Sequence, residues 1–260
     1  MDSGPGSGGW DRAPQPVPPC QWAFPSVDEM PDADLVATGA DLEPSTLIAA
    51  YRGGIFPMPL DLRSSFSLGL RPRSPRDETL RGAFGFSLGL RLRSPRDEPM
   101  GWWSPVERGV LVPEELRVSR SLRRSTRRWT VTVDQSFAEV VRQCATQRRR
   151  GGWISAAILD AYVRLHELGW AHSVEARDDA GRLVGGLYGV RIGRLFAGES
   201  MFHLERDASK VALVHLASRM SGGAPSLIDV QWATPHLESL GVATVPRREY
   251  LRRLPSLVDS

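Results

Sequence analysis

Three strand-like segments joined by two tight turns constrain the fold of this chain more than any other feature. The segments are His172–Arg177, Leu183–Arg191 and Leu195–Ser200. Asp178-Asp179-Ala180-Gly181 separates the first two and Ile192-Gly193-Arg194 the last two, and residues of these types favour hairpin turns. Because a tight hairpin turn joins neighbouring antiparallel strands, the sequence predicts an antiparallel meander.

Helical and strand patterns alternate on both sides of this meander. Pro44, Leu47, Ile48 and Tyr51 have the spacing of a helix that Gly53-Gly54 would end. Further helices are expected after the caps Ser119, Asp134 and Ser155, over Ala208–Met220, and around His236–Leu240 and Arg247–Leu254, and further strands at Val110–Val112, Trp129–Val133, Leu227–Gln231 and Val242–Val245. This order predicts an α+β fold, a mixed sheet flanked by helices.

The N-terminus and the composition indicate a cytoplasmic protein. Residues 1–24 are rich in Gly, Pro and Ser, which predicts a disordered tail, and they lack the features of a secretory signal. No apolar run is long enough to cross a bilayer, so we expect no membrane partner. Cys20 and Cys144 form no CxxC pair and the histidines lack metal-binding spacing, so we expect neither disulfides nor a metal site.

A tandem repeat interrupts the N-terminal part of the chain. Residues 66–78 (FSLGLRPRSPRDE) and 86–98 (FSLGLRLRSPRDE) differ only at Pro72 and Leu92. Two copies are too few for a solenoid, and the copies contain few core-forming residues. We therefore expect residues 61–101 to be a flexible insert; a nucleic-acid-binding arm is the second interpretation.

The basic residues are concentrated in short segments. The sequence pI is about 9.2 although the net charge is only +3, and Lys210 is the single lysine among arginines. Residues 117–128 contain six arginines, and residues 148–150 are three arginines in succession. Arginine suits phosphate contacts because its planar fork binds two oxygens. From charge alone, a solvated surface and a nucleic-acid footprint stay equally open.

Eight segments must be considered together, because none is diagnostic alone. They are GADLEPSTLIAAYRGGIFP (39–57), WWSPVERGVLVPEELRVSRSLRR (102–124), WIS with AYVRLHELGWAHSVE (153–175), LVGGLYGV (183–190), GESMF (198–202), DASKVAL (207–213), LIDVQ (227–231) and HLESLGVATVPRREYL (236–251). In this order they resemble the leucyl/phenylalanyl-tRNA–protein transferase family. The likeness covers residues 36–57 and 102 to the end.

The resemblance implies a fold and an activity. It implies a GNAT-like mixed sheet flanked by helices as a catalytic domain over residues 102–260, with a small N-terminal domain over residues 25–60. It implies transfer of Leu or Phe, and sometimes Met, from aminoacyl-tRNA to the α-amine of proteins that begin with Arg or Lys, which marks them for degradation. The partners would be these two substrates, no cofactor would be needed, and a monomer is expected.

The resemblance also implies site residues. Glu199 would bind the cationic side chain of the acceptor, and Asp229 and Gln231 would lie at the reaction centre. Because they are two apart on a strand, both would point to one face. An amide is an extremely weak base, so we expect Gln231 to orient the amine or stabilise the oxyanion rather than accept a proton. Asp229 would hold Gln231 or accept a proton from the ammonium.

Aromatic and apolar residues complete the implied site. Trp153 and Tyr162 match family aromatics associated with the terminal adenosine, although by periodicity Tyr162 would be a core residue. The chain has Met58 where the family has Trp at the substrate site. Met201, Phe202 and Leu187 are candidates for the pocket that holds the transferred side chain.

Two departures from the family pattern leave alternatives open. Met58 and the insert next to it would be expected in a tRNA-binding protein whose catalysis is impaired. An acyl-CoA-dependent GNAT acyltransferase is another alternative, although the usual pyrophosphate loop is not apparent. The segment Ala208-Ser209-Lys210 opens a helix and could hold a phosphate, or could be an ordinary helix start. The family's Cys and Ser are replaced by Val230 and His203.

Overall fold

A computed structural model describes residue 10 and residues 13–60, 100–147 and 153–259. Both repeat copies and the three arginines at 148–150 lie outside these ranges, so the predictions about them stay predictions. Within the described ranges, no helix is long and apolar enough to cross a membrane.

The described chain is a mixture of helices and strands, as the sequence predicts. The strands are β1 (Leu35–Thr38), β2 (Phe56–Pro59), β3 (Met100–Trp103), β4 (Glu107–Leu111), β5 (Thr130–Val133), β6 (Ala171–Arg177), β7 (Leu183–Ile192), β8 (Leu195–His203), β9 (Leu227–Gln231) and β10 (Ala243–Pro246). The helices are α1 (Pro44–Arg52), α2 (Arg120–Ser125), α3 (Phe137–Gln147), α4 (Ala156–Glu167), α5 (Ala208–Met220), α6 (Pro235–Ser239) and α7 (Arg247–Val258).

A seven-stranded sheet forms the centre of the molecule, in the order β10-β4-β9-β8-β7-β6-β5. The meander β6-β7-β8 is antiparallel and confirms the prediction from its turns, with Gly181 and Gly193 at positive φ. β8 and β9 pair in parallel, with α5 as the connection between them. The sheet is therefore mixed, as expected.

A second, three-stranded sheet has the order β1-β3-β2 and is antiparallel. β3 overlaps the end of the insert predicted over residues 61–101, because its first two residues are Met100 and Gly101, and it pairs with β2, which precedes the insert. Pro59 at the end of β2 pairs with Met100 at the start of β3, so the segment between them starts and finishes at the same end of this strand pair. The sequence indicated neither β1 nor β3.

Helices cover both faces of the large sheet. On one face α1, α3, α4 and α7 form a first core around Tyr51, Phe137, Tyr162 and Tyr188. On the other face α5 and Leu122 of α2 form a second core around Phe196, Val211 and Ile228. The helix α1 and the small sheet thus pack into the same core as the C-terminal helices.

Helix ends follow the predicted signals, with one exception. The Ser119 and Ser155 side chains accept hydrogen bonds from the N–H groups of Leu122 and Ile158, which confirms both caps. Asp134 does not cap α3, contrary to the prediction. Its carboxylate instead accepts hydrogen bonds from the Ser173 N–H and the His172 ring, because Asp134 has a φ of 59° and turns towards β6.

The described part of the N-terminal region lies against the folded chain. The Gln15 N–H donates to the Leu168 carbonyl at 2.8 Å, and the Trp170 indole donates to the Gln15 carbonyl at 2.8 Å. Trp10 is 5% exposed and stacks on Phe196. The division of the chain into a tail and domains stays a prediction.

The substitution Gly185→Ala should destabilise the fold. A Cβ at Gly185 in β7 would lie 2.5 Å from the Ala208 Cβ and 2.9 Å from the Ala208 carbonyl carbon at the start of α5. Helix and sheet would have to separate, so we expect the free energy of unfolding to fall by about 1–3 kcal/mol in urea denaturation. The control is Gly223→Ala, where a Cβ meets nothing within 4 Å. Equal stability of the two variants would contradict the close approach.

Candidate functional site

The parallel strands β8 and β9 diverge where the candidate residues lie. In the described chain they pair from Leu195↔Leu227 to Ala197↔Asp229 and no further, although β8 continues to His203. Glu199 and Gln231 each follow the last paired position by two residues. The opening between the strands therefore begins at these two side chains.

A β-bulge in β8 sets the direction of Glu199. Tyr188 of β7 pairs with Ser200 and Gly189 pairs with Gly198, which leaves Glu199 without a partner in the ladder. Bulges re-aim side chains and are frequent beside active sites. As a result Glu199 and Phe202 both face the first core, although residues three apart on a regular strand face opposite sides.

Two buried tyrosines hold the carboxylate of Glu199. The Tyr51 hydroxyl donates to Oε1 at 2.7 Å and the Tyr162 hydroxyl to Oε2 at 2.9 Å, and the two hydroxyls also contact each other. Both rings are at most 2% exposed. Burial and the charge of Glu199 raise the pKa of both tyrosines, so their hydroxyls stay protonated donors at neutral pH.

The protonation of Glu199 follows from this arrangement. Its side chain keeps part of its surface open to solvent but is surrounded by protein atoms, and this burial raises its pKa to about 7 against the opposing effect of the tyrosine hydrogen bonds. At a pKa of about 7, the neutral acid and the carboxylate form of Glu199 are present in comparable amounts at neutral pH.

Asp229 is a buried carboxylate with a different environment. Arg108 on β4 donates to both of its oxygens, with Nε 2.8 Å from Oδ1. The Tyr250 hydroxyl donates to Oδ2 at 2.9 Å, and the Gln231 backbone N–H donates to Oδ1 at 2.9 Å. Both side chains of the ion pair are 1% exposed.

Arg108 connects this ion pair to the N-terminal part of the chain. Its Nη1 donates to the Gly54 carbonyl at 3.1 Å, and its guanidinium lies 5.1 Å from the Phe56 ring centroid and 4.6 Å from that of Tyr250. Burial alone would lower the pKa of Arg108, but the adjacent Asp229 carboxylate raises it, so the guanidinium stays charged.

Gln231 ends β9 in an unusual backbone conformation. Its φ is 59°, and a bulge at Val230 precedes it, because Asp229 pairs with Val110 while Gln231 pairs with Gly109. Its side-chain nitrogen donates to Glu199 Oε1 at 3.4 Å. Because a carboxylate only accepts hydrogen bonds, the amide nitrogen faces Glu199 and the amide oxygen faces away.

The structure brings four of the predicted residues together. Glu199, Asp229 and Gln231 form one cluster, linked by the Gln231 side chain and backbone. Tyr162 joins this cluster through its hydroxyl. Its ring is 0% exposed and packs edge-on against Tyr188, so it offers no free face on which a base could stack.

The remaining predicted residues are core residues for which the described chain shows no hydrogen bond to this cluster. Trp153 and Met58 are partly buried and pack against the first core. Leu187 and Met201 face each other across β7 and β8 and belong to the second core. Phe202 belongs to the first core, so these pocket candidates lie on two different faces of the sheet.

Sequence reasoning missed Arg108, Tyr250 and the role of Tyr51. Arg108 precedes the apolar run Gly109–Leu111, and a charge beside a buried strand could have been recognised as needing a partner. Tyr51 was assigned only to the apolar face of its helix. Nothing in the local sequence relates any of them to Glu199 or Asp229.

The arginine-rich segment forms a basic surface on α2 and on the residues that flank it. Arg117, Arg120, Arg123, Arg124, Arg127 and Arg128 are all exposed. Among these six, Arg128 alone forms an ion pair within the part of the chain that the structure describes, and its Nη2 lies 3.5 Å from Glu205 Oε2. Lys210 at the start of α5 pairs with Asp207 at 2.8 Å.

Within residues 13–60, 100–147 and 153–259, no group of three or more His, Cys, Asp and Glu side chains is placed to hold a metal ion.

Comparisons with known proteins agree with one another. A family model described as leucyl/phenylalanyl-tRNA protein transferase matches residues 110–255, and one described as its N-terminal domain matches residues 40–61. A leucyl/phenylalanyl-tRNA–protein transferase of Aromatoleum aromaticum is 45% identical over 87% of this chain and 83% of its own. The protein of the same name in Thiobacillus denitrificans is 44% identical over 86% and 85%.

Likeness to solved structures is weak. L-PGS from Bacillus licheniformis superposes with a TM-score of 0.37 at 14% identity, over 49% of this chain and 46% of its own. This value is too low to support an argument about the fold.

The substitution Glu199→Gln should change how stability depends on pH. The pKa of Glu199 rises from 4.5 to about 7 on folding, so the folded protein binds more protons between these values. Wild-type stability should therefore include a contribution that is lost as pH rises through 7. The free energy of unfolding of the wild type relative to Glu199→Gln should fall between pH 5 and pH 8.

The control is Glu249→Gln on α7. The pKa of Glu249 is lowered by hydrogen bonds from Arg252 and Arg253, so this group stays ionised throughout that range. Its removal should leave the pH dependence unchanged. A wild type and Glu199→Gln that respond identically to pH would contradict the raised pKa.

Proposed function

Because this chain belongs to the leucyl/phenylalanyl-tRNA protein transferase family, we propose that it transfers Leu or Phe, and sometimes Met, from aminoacyl-tRNA to the α-amine of proteins that begin with Arg or Lys. The relatives and the family model support this activity. The mechanism depends on the pair formed by Glu199 and Gln231 where β8 and β9 diverge. The Gln231 side-chain nitrogen lies 3.4 Å from Glu199 Oε1. This pair offers an acidic group and an amide to one ligand.

The reaction is the aminolysis of an ester. The neutral α-amine of the acceptor attacks the ester carbonyl carbon at the terminal adenosine, and a tetrahedral intermediate forms. A C–N bond replaces the C–O bond to the ribose, and a proton from the amine ends on the leaving ribose oxygen. An α-amine has a pKa of roughly 7.7–8.0, so little base catalysis is needed, and holding the two reactants together provides most of the rate.

Glu199 binds the cationic side chain of the acceptor. It is partly open to solvent, and the donors around it are two neutral hydroxyls and an amide. A carboxylate without a cation in contact attracts one strongly in a medium of low polarity. In this proposal Tyr162 no longer stacks on adenine; with Tyr51 it fixes the direction of the Glu199 carboxylate.

Gln231 orients the attacking amine. Its amide nitrogen is turned to Glu199, so its oxygen is available to accept a hydrogen bond from the amine. Its remaining N–H can donate to the oxyanion of the intermediate. Neither task requires the amide to take a proton.

The adenine and the transferred side chain of the aminoacyl-adenosine both occupy apolar surfaces. Trp153 is partly buried and stays the candidate for stacking on the adenine, and Met58 takes the position at which the family has Trp. Phe202 is the favoured pocket residue because it lies on the same face of β8 as Glu199. Met201 and Leu187, on the opposite face, are the weaker candidates.

The basic surface of α2 holds the tRNA backbone. Six exposed arginines, of which Arg128 alone pairs with a carboxylate among the described residues, give a local positive potential that a phosphate backbone would neutralise.

The wider interpretation rests on the family and on the sheet. Helices on both faces and a parallel strand pair that diverges at the site support a GNAT-like catalytic domain over residues 102–260. A tail over 1–24, a small N-terminal domain over 25–60 and an insert over 61–101 complete the proposed organisation. The protein acts as a monomer without a cofactor. It works in the cytoplasm, where charged tRNA is made, and its product is marked for degradation.

A catalytically impaired tRNA-binding protein is the second candidate. The insert favours it, because Pro59 and Met100 join it to the sheet strands next to Met58. The same geometry also allows a harmless extension, since the residues that flank the insert, Pro59 and Met100, pair with each other in the sheet.

The purified protein should add one Phe residue to a peptide that begins with Arg when Phe-tRNA is present. We expect Glu199→Gln to lower kcat/KM for this peptide by about 10-fold to 100-fold, because the acceptor cation loses its partner. Mass spectrometry of the peptide measures the product. A peptide that begins with citrulline, which is neutral and nearly isosteric with Arg, should react poorly and be almost insensitive to the substitution.

The controls separate the possibilities. Equal losses for the Arg and citrulline peptides would place the acceptor's amine, not its side chain, at Glu199. No product from the wild type, with Phe-tRNA binding intact, would favour the impaired binder. Deletion of residues 61–98 would then show whether the insert is the cause.

The double substitution Arg123→Gln with Arg124→Gln should weaken tRNA binding. Losing two phosphate contacts should reduce the slope of log affinity against log salt by about 1–2, in filter binding of Phe-tRNA. The matched control is Arg252→Gln with Arg253→Gln, an exposed pair on α7 that contacts Glu249. The same loss in both double variants would mean that only net charge matters.

A further inference from the structure

The Asp229 carboxylate has no free position for another hydrogen bond. A carboxylate has about four acceptor positions, two on each oxygen. Oδ1 accepts from Arg108 Nε and from the Gln231 backbone N–H, and Oδ2 accepts from Arg108 Nη2 and the Tyr250 hydroxyl. The side chain is also 1% exposed. A substrate amine would have to displace one of these four donors to reach it.

We propose that Asp229 takes no proton during the transfer reaction and acts as a positioning residue for Gln231, and that Arg108 and Tyr250 are positioning residues that act through Asp229. This inference rests on the proposed function, because it concerns the same reaction. It assigns to two residues outside the β8–β9 opening a part in the chemical step.

The backbone of Gln231 is the point on which Asp229 acts. A residue other than glycine seldom adopts a φ near 59°, and such conformations persist only where the surroundings hold them. The hydrogen bond from the Gln231 N–H to Asp229 Oδ1 is one such restraint, and another joins the Trp232 N–H to the Val230 carbonyl at 2.8 Å. This conformation directs the Gln231 amide towards Glu199 rather than along the strand.

Close packing on the other side leaves little room for an alternative. A Cβ at Gly109, the partner of Gln231 in β4, would lie 2.7 Å from the Ala233 nitrogen and 2.9 Å from the Trp232 carbonyl carbon. The chain after Gln231 therefore passes directly over β4, and Arg108 is the adjacent residue on that strand. The ion pair and the turn of the chain are parts of one arrangement.

Arg108 also makes the N-terminal layer part of this arrangement. It lies between the rings of Phe56 and Tyr250 and donates to the Gly54 carbonyl at the end of α1. The same helix holds Tyr51, which contacts Glu199. A displacement of α1 would thus reach both Gln231, through Arg108 and Asp229, and Glu199, through Tyr51.

The proton balance does not need Asp229. The attacking amine loses one proton and the leaving ribose oxygen gains one, so the proton passes between two substrate groups that Gln231 holds together. If Asp229 accepted it instead, the carboxylate would have to release Arg108 or Tyr250 in each turnover.

The first test is Tyr250→Phe, which removes one hydrogen bond and leaves the ion pair. We expect kcat to fall by about tenfold, because a hydrogen bond to a buried charge is lost, while KM for Phe-tRNA and for the Arg peptide stays within about twofold. The pH dependence of kcat should keep its midpoint. A carboxylate that loses a donor holds a proton more tightly, so a midpoint moved to higher pH would overturn the proposal and make Asp229 the proton acceptor.

The second test compares two buried arginines. Arg108→Lys keeps the charge but loses the two-pronged contact with Asp229, and kcat should fall by about tenfold or more. Arg247→Lys is the matched control, because Arg247 is 8% exposed and donates to the carbonyls of Pro31 and Ala33. Both variants should be less stable to heat. Only Arg108→Lys should have a lower kcat when activity is normalised to the amount of bound Phe-tRNA.

An independent measurement does not use activity. Hydrogen exchange of the Gln231 backbone N–H, followed by NMR, should be faster in Tyr250→Phe and Arg108→Lys than in the wild type and in Arg247→Lys. Unchanged exchange, or wild-type kcat in both variants, would overturn the proposal. If the wild type transferred no Phe but Gln231 exchange were faster in the two variants, the proposed function would be rejected. The link from Arg108 and Tyr250 through Asp229 to the Gln231 backbone would still hold.

Discussion

The buried ion pair between Arg108 and Asp229 is the interaction on which the site depends. Removing two charges from water is costly, and an isolated buried charge is worse, so each partner requires the other. Removing one side of such a pair typically costs about 3–5 kcal/mol. Because Arg108 also binds the Gly54 carbonyl and Asp229 binds Tyr250, the pair fixes four segments of the chain relative to one another.

Glu199 shows what a carboxylate does without such a partner. Its donors are hydroxyls and an amide, and burial raises its pKa to about 7. Arg108 is near enough to lower this pKa but is committed to Asp229. Two carboxylates close to each other thus differ: Asp229 forms an ion pair with Arg108, whereas Glu199 contacts only hydroxyl and amide donors among the described residues. This difference supports a structural task for Asp229 and a binding task for Glu199.

Backbone irregularities place the two groups that face the opening. A bulge leaves Glu199 outside the β7–β8 ladder, and a second bulge at Val230 with the positive φ of Gln231 turns the end of β9. On a regular strand, side chains alternate between the two faces of the sheet, so Glu199 and Phe202 would face different cores. The irregularities are stable because the surrounding tyrosines, the ion pair and the close packing at Gly109 restrain them.

The sequence by itself determined the meander, the helix caps at Ser119 and Ser155, the bounds of α5 and β9, the family, and Glu199, Asp229 and Gln231 as candidates. These features are local, because turn residues, caps and short motifs act over a few positions. The sequence did not predict the strands β1 and β3, because each is only four residues long and is stabilised by pairing with a strand far away in the sequence. Only the tertiary structure decided which side chains form hydrogen bonds with those candidate residues. Tyr51 meets Tyr162 across 111 residues and Arg108 meets Asp229 across 121, and contacts at such separations depend on how the cores pack rather than on any local pattern.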